Sequence, residues 1–310
     1  MNRRFFLRNA LRIGLGGWLA MQPWARWAEG ARSRRIVLLH TNDVHSRIEP
    51  FPDTAGALAG LGGAARRATL VRRLRAEEPH VLLLDAGDIF QGTAYFNLFR
   101  GELDFRVMSA IGYDLATLGN HDFDLGTEGL LRALPHARFA FLSANYRFQS
   151  EALRQAVRPY AVRQLGDIRL GFIGVGIDLE GLLPAPLRAD VRYEDPVPVV
   201  RELVEHLRRQ ERCHLVIVLS HLGYEYTSQQ IDDVKLARSV PGIDLIIGGH
   251  THTFLDQPRI IEHEQEPPTW IVQTGWGGVR LGRVDFLFDA EGRLVRRWAA
   301  QYVLDGRWSA

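Results

Sequence analysis

Short apolar runs recur along the chain, and most of them are continuous rather than alternating with polar residues. Continuous runs of this length are typical of β-strands that are buried on both faces of a sheet. The pattern therefore predicts eight buried strands, at residues 36–39, 81–84, 115–117, 139–143, 170–173, 216–219, 245–247 and 270–273.

Helical patterns lie between several of these strands. Apolar residues three or four positions apart predict helices at residues 64–77, 105–111, 127–134 and 197–210. The alternation of strand and helix predicts an α/β (α+β) architecture.

Toward the end of the chain, strand follows strand. The runs 280–288 and 294–302 are separated by a turn-forming segment, residues 289–292, and predict an antiparallel pair that closes the sheet. No internal repeat or flexible linker interrupts the pattern from residue 34 onward. The sequence therefore predicts one domain over residues 34–310.

The positive charge of the chain is concentrated at its N-terminus. The first 33 residues hold six arginines and one glutamate, so the 38 basic and 36 acidic residues of the chain become 32 and 35 in the remainder, a formal charge of −3. Proteins that bind nucleic-acid polymers carry a basic face, and the weakly acidic remainder argues against such a partner. The single cysteine, Cys213, excludes an intrachain disulfide.

The N-terminal segment has the pattern of a targeting signal. Arg3 and Arg4 open a twin-arginine motif, and a weakly apolar stretch at residues 10–25 follows, interrupted by Arg12. A membrane-spanning helix needs about 20 largely uninterrupted apolar residues, so we expect no stable membrane span. We predict that residues 1–31 are a twin-arginine-type signal segment and that the protein is exported to a periplasmic or extracytoplasmic location.

Five polar clusters each follow an apolar strand. The carboxyl ends of strands are where open α/β sheets gather their functional sites, and the glycines in the clusters permit tight turns and close approach. The clusters are Asp43-Val44-His45, Gly87-Asp88, Gly119-Asn120-His121-Asp122, Ser220-His221 and Gly248-Gly249-His250-Thr251-His252.

The residue types in these clusters suit a pair of divalent metal ions. Imidazole and carboxylate ligands without a thiolate favour Mn, Fe, Zn or Co. Two neighbouring cations repel each other, and a bridging carboxylate offsets that repulsion. Such a pair can hold the attacking and leaving oxygens of an in-line displacement and lower the pKa of a bound water.

The order of the clusters resembles that of the calcineurin-like metallophosphoesterases. Three longer motifs narrow the resemblance to the N-terminal catalytic domain of the 5′-nucleotidase and UDP-sugar hydrolase group. They are Thr41-Asn42-Asp43, Gly119-Asn120-His121-Asp122-Phe123-Asp124 and Ser220-His221-Leu222-Gly223. The resemblance covers residues 34–305 and implies a four-layer αββα sandwich, in which two mixed sheets pack face to face between helices.

The resemblance also implies a ligand set for two divalent metal ions, with one carboxylate shared between them. Asp88 matches the bridging residue. The ligands of one metal are matched by Asp43, His45, Asp88 and His252, and those of the other by Asp88, Asn120, His221 and His250.

Two further residues match the catalytic pair of the group. His121 matches the histidine that faces the substrate phosphate, and Asp124 matches the acid that orients its ring and supports its charged form. Asn120 and His121 are also expected to contact the substrate. Arg47, two residues after His45, is a further candidate for the substrate phosphate.

These matches imply a phosphoesterase that hydrolyses phosphate monoesters by in-line attack of a metal-bridging hydroxide, with nucleotides as the expected substrates. A cyclic phosphodiesterase, a UDP-sugar pyrophosphatase and a sulfate–thiol hydrolase would use the same site and remain alternatives. An alternative of another class is a metal-bearing subunit that is inactive without a separate partner protein.

The sequence departs from the group in two respects. Several nucleotidases carry an amide side chain where this chain has His252, which affects metal preference more than reaction type. Full-length nucleotidases continue into a second domain that stacks the nucleobase, whereas this sequence ends at Ala310. We therefore expect nucleotide specificity to depend on a separate protein that resembles that C-terminal domain.

Changing Arg3 and Arg4 together to lysine should retain the protein in the cytoplasm, because the twin-arginine pathway reads the paired guanidinium groups. Fractionation of cells that express the wild type and the double variant measures this. An unchanged extracytoplasmic fraction in the variant would refute a twin-arginine leader.

Overall fold

The computed structural model describes residues 34–309. The signal segment predicted at residues 1–31 and the last residue of the predicted domain lie outside this range. The strands, numbered in chain order, are β1 Arg35–Thr41, β2 Val81–Asp85, β3 Leu115–Thr117, β4 Ala140–Leu142, β5 Tyr146–Phe148, β6 Val157–Arg158, β7 Tyr160–Leu165, β8 Ile168–Gly176, β9 Val191–Tyr193, β10 Leu215–His221, β11 Leu245–Ile247, β12 Arg259–Ile261, β13 Thr269–Val272, β14 Arg280–Phe288 and β15 Leu294–Val303.

The α-helices of the described chain are interspersed among these strands and all precede β11. Single turns of 3₁₀ helix occur at Gly56–Leu58, His121–Phe123, Leu134–His136 and Gly306–Trp308. The α-helices are α1 Ala64–Glu77, α2 Ala94–Phe99, α3 Glu102–Ile111, α4 Gly126–Ala133, α5 Glu151–Ala156, α6 Ala185–Arg188, α7 Pro196–Arg209 and α8 Asp233–Ser239.

Two mixed sheets form the centre of the fold. The first has the order β15-β14-β1-β2-β3-β4-β6, and its strands are parallel from β1 to β6, with β14 and β15 added antiparallel at one edge. The second has the order β12-β13-β11-β10-β8-β7, with four parallel central strands and an antiparallel strand at each edge. A separate two-stranded ribbon pairs β5 with β9.

Apolar side chains divide the fold into layers. Leu38, Phe172 and Leu219 belong to a fully buried cluster contributed by both sheets. On its other face the first sheet packs against α1 and α3 through residues such as Leu70, and the second packs against α7 and α8 through residues such as Leu207. This arrangement of helix, sheet, sheet and helix confirms the predicted four-layer sandwich of two mixed sheets.

Helix α7 shows how the local sequence produces one of these layers. The Asp195 side chain accepts a hydrogen bond of 2.9 Å from the backbone N–H of Val197, and Pro196 occupies the first helical position, both typical starts of a helix. Val200, Val204 and Leu207 are buried. Their spacing of three and four residues places one apolar stripe against the second sheet.

The two sheets approach each other closely where β4 and β8 cross. The backbone N–H of Ala144, just after β4, donates to the carbonyl of Gly174 in β8 at 2.7 Å. A Cβ atom at Gly174 would lie 2.2 Å from the Leu142 carbonyl oxygen, so only glycine fits there. Nearby, the Asn145 amide exchanges hydrogen bonds with the backbone of Gly176. These contacts fix the relative position of the strand ends in the two sheets.

The predicted buried strands and helices are all present, with ends shifted by a few residues, and 280–288 and 294–302 form the expected antiparallel pair. The sequence pattern missed β5, β6, β7, β9 and β12 and the helices α2, α5, α6 and α8. Most of these elements are short and partly exposed, so they lack a continuous apolar run or a full amphipathic stripe. No helix within residues 34–309 has the length and apolar character needed to cross a bilayer.

Candidate metal centre

The predicted ligands lie at the carboxyl ends of strands from both sheets. Asp43, Asp88 and Asn120 follow β1, β2 and β3 of the first sheet, while His221 ends β10 and His250 follows β11 of the second. The parallel pairing of β1 with β2 and of β10 with β11 brings the strand ends together in each sheet. The candidate site therefore lies across the seam between the sheets.

One group of ligand atoms is formed by Asp43, His45 and His252, which all lie within 4.8 Å of one another. The Nε2 atoms of His45 and His252 are 3.0 Å apart, and His252 Nε2 is 3.4 Å from Asp43 Oδ1. Asp43 and His45 are buried, and His252 is partly exposed.

A second group is formed by Asp88, His221 and His250, again within 4.8 Å of one another. His221 Nε2 lies 3.1 Å from Asp88 Oδ2. The amide oxygen of Asn120 is 2.8 Å from His250 Nδ1, which adds the remaining predicted ligand. Asp88 Oδ2 is also 3.8 Å from His45 Nε2 in the first group, so the Asp88 carboxylate lies between the two groups.

The histidine rings are oriented as metal ligands require. His221 Nδ1 is 2.7 Å from the carbonyl oxygen of Ala86, and His45 Nδ1 is 3.2 Å from that of Phe90. Each Nδ1 therefore carries the proton and donates it, which leaves the Nε2 lone pair facing the site. The Nε2 atom of His221 is fully buried and forms no hydrogen bond among the described residues. A cation at this position would satisfy it, so the donor set fits divalent metals.

The pKa values of the predicted histidine ligands are shifted in opposite directions. Burial lowers the pKa of His45, and it lowers the pKa of His250 to about 4, so both favour the neutral form that binds metal. Burial also acts to lower the pKa of His221, but the carboxylates of Asp88 and Asp43 outweigh it and raise the pKa to about 10.

Five of the predicted ligands have a left-handed backbone. Their φ angles are positive, between 50° and 70°, and each such non-glycine residue costs about 1–2 kcal/mol. This conformation turns the side chain sharply away from the end of the strand. The residues are Asp43, His45, Asp88, His250 and His252.

The buried carboxylate of Asp122 connects two of the ligand-bearing loops. Its Oδ1 accepts the N–H groups of Ile89 and Phe90 at 3.0 and 3.1 Å. Its Oδ2 accepts those of Gly119 and Asp88 at 2.8 and 3.2 Å. No local pattern in the sequence indicates this role for Asp122, although the residue lies within the Gly-Asn-His-Asp cluster.

The predicted catalytic pair is in contact. One turn of 3₁₀ helix, His121–Phe123, brings His121 Nδ1 to 3.0 Å from Asp124 Oδ2, and this hydrogen bond raises the pKa of His121 above its usual value. The backbone N–H of His121 donates to Asp88 Oδ1 at 2.8 Å. The His121 ring lies 5.3 Å from that of His45, measured between centroids. His121 is thus attached to the carboxylate that lies between the ligand groups.

Two further side chains, Arg47 and Trp276, lie at the edge of the site. The guanidinium of Arg47 lies 4.1 Å above the ring of Phe51, and its side chain forms no ion pair with any residue in the range 34–309. Trp276, which the sequence analysis did not identify, stacks on the His252 ring at 5.6 Å with an interplanar angle of 12°. Its position between glycines in the loop after β13 gave no sequence signal for this contact.

A family model described as calcineurin-like phosphoesterase matches residues 36–254. The chain belongs to the calcineurin-like phosphoesterase family. This confirms the family predicted from the order of the polar clusters. Membership of the family implies divalent metals at the two ligand groups without specifying which metals they are. The roles of the individual ligands and of His121 and Asp124 stay predictions.

Several proteins that are similar to this chain are nucleotidases. The chain is 35% identical over 290 residues to a snake venom 5′-nucleotidase of Gloydius brevicauda, covering 86% of this chain and 47% of the relative. It is 34% identical over 310 residues to the 5′-nucleotidase of Bos taurus, covering 92% and 51%. The crystal structure of a 5′-nucleotidase precursor from Thermus thermophilus superimposes with a TM-score of 0.80 at 33% identity, covering 88% and 55%. The chain thus spans about half the length of the curated relatives it matches.

Replacement of Asp88 by asparagine should lower the metal content and abolish phosphoesterase turnover, because two cations would lose the anion between them. Elemental analysis of the purified protein and turnover of an aryl phosphate measure the two effects. Asp53→Asn, which changes an exposed carboxylate, is the control and should behave like the wild type. Two tightly bound metals and normal turnover in Asp88→Asn would contradict the bridging role.

Proposed function

We propose that the chain hydrolyses phosphate monoesters, with nucleotides as the expected substrates, at a site that holds two divalent metal ions. One observation carries this proposal. Two groups of ligand atoms converge on the Asp88 carboxylate, and the His121 backbone is hydrogen-bonded to that same carboxylate. The family and its nucleotidase relatives support the reaction class.

In this proposal each metal ion has its own ligand set. Asp88 belongs to both sets, as its position between the groups allows. Bound there, the ions would neutralise charge on a phosphoryl group and lower the pKa of a water molecule. The first set is Asp43, His45, Asp88 and His252, and the second is Asp88, Asn120, His221 and His250.

His121 acts on the substrate rather than on a metal. Because its Nδ1 donates to Asp124, its Nε2 is the nitrogen free to face a phosphate. The raised pKa of His121 favours the charged ring. A charged imidazolium stabilises negative charge on the phosphoryl oxygens and can donate a proton to the leaving oxygen. Asp124 holds the ring in the tautomer that this role requires.

Arg47 is the second candidate for substrate contact. Its guanidinium is held over the Phe51 ring, and no carboxylate of the described chain neutralises it. An arginine with free donors is suited to a phosphate oxygen. Asn120, at the edge of the second ligand group, is the third candidate.

His121→Asn should lower the turnover rate by roughly 10²–10⁴, the usual contribution of general acid–base catalysis or charge stabilisation, with metal content unchanged. Turnover of an aryl phosphate and elemental analysis test this together. The matched control is His136→Asn. His136 lies away from the ligand groups, and its Nε2 is 3.6 Å from Glu102 Oε2. Loss of metal in His121→Asn would show that this residue is a ligand and not a catalytic group.

A substrate panel separates the proposed activity from its alternatives. The panel contains a nucleoside monophosphate, an aryl phosphate, a cyclic nucleotide, a UDP-sugar and a sulfate–thiol ester (R–S–SO3⁻). Monoesters should be the best substrates. Preferential hydrolysis of any other member would overturn the monoesterase proposal while leaving the metal site intact.

The separate partner protein also belongs to this proposal. The chain matches about half the length of these relatives, and the proposal assigns further nucleotide contacts to a domain of the kind that forms their other half. We expect measurable turnover of aryl phosphate and weak saturation with nucleotides. Added protein that resembles the nucleotidase C-terminal domain should lower the KM for nucleotides, because remote contacts raise kcat/KM for a particular substrate. A micromolar KM with strong base selectivity in the chain alone would contradict this expectation.

Export by the twin-arginine pathway is likewise proposed. The paired arginines at positions 3 and 4 support this route, and the relationship to snake venom nucleotidases supports export itself but not the route. The folded body that this pathway carries would contain its metals before export.

A further inference from the structure

Across the described chain, three of the four predicted histidine ligands have a hydrogen bond at Nδ1, and His252 does not. The rings of His45 and His221 are fixed by hydrogen bonds from Nδ1 to backbone carbonyl oxygens. Such outer contacts are what normally orient a metal-binding histidine. In the part of the chain that the structure describes, no hydrogen bond reaches Nδ1 of His252, and 38% of its side chain is exposed. Another interaction must orient this ring.

The indole of Trp276 supplies that interaction. It lies nearly parallel to the His252 ring, with centroids 5.6 Å apart and an interplanar angle of 12°. The loop that carries it is attached on both sides to the first ligand segment. The carbonyl of Gly275 accepts from the Asn42 side chain at 2.6 Å, and the N–H of Gly277 donates to the Asp43 carbonyl at 2.7 Å. Trp276 is therefore fixed relative to Asp43.

Phe51 packs against the indole and limits its movement. This buried ring meets the indole edge to face, with centroids 5.3 Å apart and an interplanar angle of 81°. A Cβ atom at Gly277 would lie 2.6 Å from the Phe51 ring, so the loop and Phe51 are packed without space between them. Arg47 lies over Phe51 at 4.1 Å. Side-chain contacts therefore run from Arg47 through Phe51 and Trp276 to His252.

We propose that Trp276 is a positioning residue that orients the His252 ring toward the metal ion shared with Asp43 and His45. The inference rests on the proposed function, because it takes His252 as a metal ligand. Stacking replaces the hydrogen bond from Nδ1 that orients His45 and His221. It fixes the plane of the ring and leaves Nε2 directed at Asp43 Oδ1, 3.4 Å away.

Metal binding by the purified full chain tests this proposal without measuring catalysis. Co²⁺ is titrated into the metal-free wild type and into Trp276→Phe, Trp276→Leu and Trp298→Phe. Affinity is measured by calorimetry, and tryptophan fluorescence is recorded in the same titration, since Co²⁺ quenches a nearby indole. Trp298 is the matched control because it is partly buried like Trp276 but lies on β15, beneath arginine side chains.

The expected results distinguish the effect of ring stacking from the effect of side-chain size. Trp276→Leu keeps an apolar side chain but has no ring face, and it should bind one of the two ions about 10- to 100-fold more weakly, the usual effect of losing an outer contact of a ligand. Trp276→Phe retains a ring and should recover most of the affinity. Trp276→Phe should also lose most of the Co²⁺-dependent quenching, whereas Trp298→Phe should retain both affinity and quenching.

Two outcomes overturn the inference and are distinct from each other. If the wild type binds two ions and Trp276→Leu binds them with equal affinity, Trp276 does not position His252, and the proposed function stands. If the folded wild type binds no divalent ion, the proposed function fails and the inference fails with it. Circular dichroism of each variant confirms that the protein tested is folded.

Discussion

The Asp122 carboxylate accepts four backbone N–H groups from the loops that carry Asp88 and Asn120, and the candidate metal centre depends on this interaction. Asp88 has a strained left-handed backbone. A Cβ atom at Gly119 would lie 2.1 Å from its carboxylate, so the two loops can approach this closely only because Gly119 has no side chain. The buried carboxyl group of Asp122 offsets the cost of the strained turn by satisfying donors that would otherwise be unpaired.

The position of the site at the seam of two sheets makes it sensitive to how the sheets pack. Asp43 and Asp88 come from the first sheet, and His221 and His250 come from the second. The hydrogen bond from Ala144 to Gly174 joins the sheets near these strand ends. A shift between the sheets would separate carboxylates from imidazoles, which links the packing of the apolar layer directly to the geometry of the ligands.

The interactions that orient the predicted ligands differ between the buried and the exposed side of the site. His221 is fully buried and is held by a backbone carbonyl, whereas His252 is partly exposed and is held by an indole. The exposed side is also where Arg47 lies over Phe51. The fully buried His221 is therefore held by a hydrogen bond, whereas the partly exposed His252 is held by ring stacking.

The sequence by itself determined the buried strands and the order of the polar clusters that follow them, because continuous apolar runs and the residues that directly follow them are local features of the chain. The tertiary structure decided which residues support them. His45 and His252 are 207 positions apart, and no local pattern predicts that their Nε2 atoms meet. Asp122 and Trp276 were missed for the same reason, since their roles consist of contacts made by distant loops. The short strands β5 and β9 likewise exist only because the ribbon they form is packed against the rest of the fold.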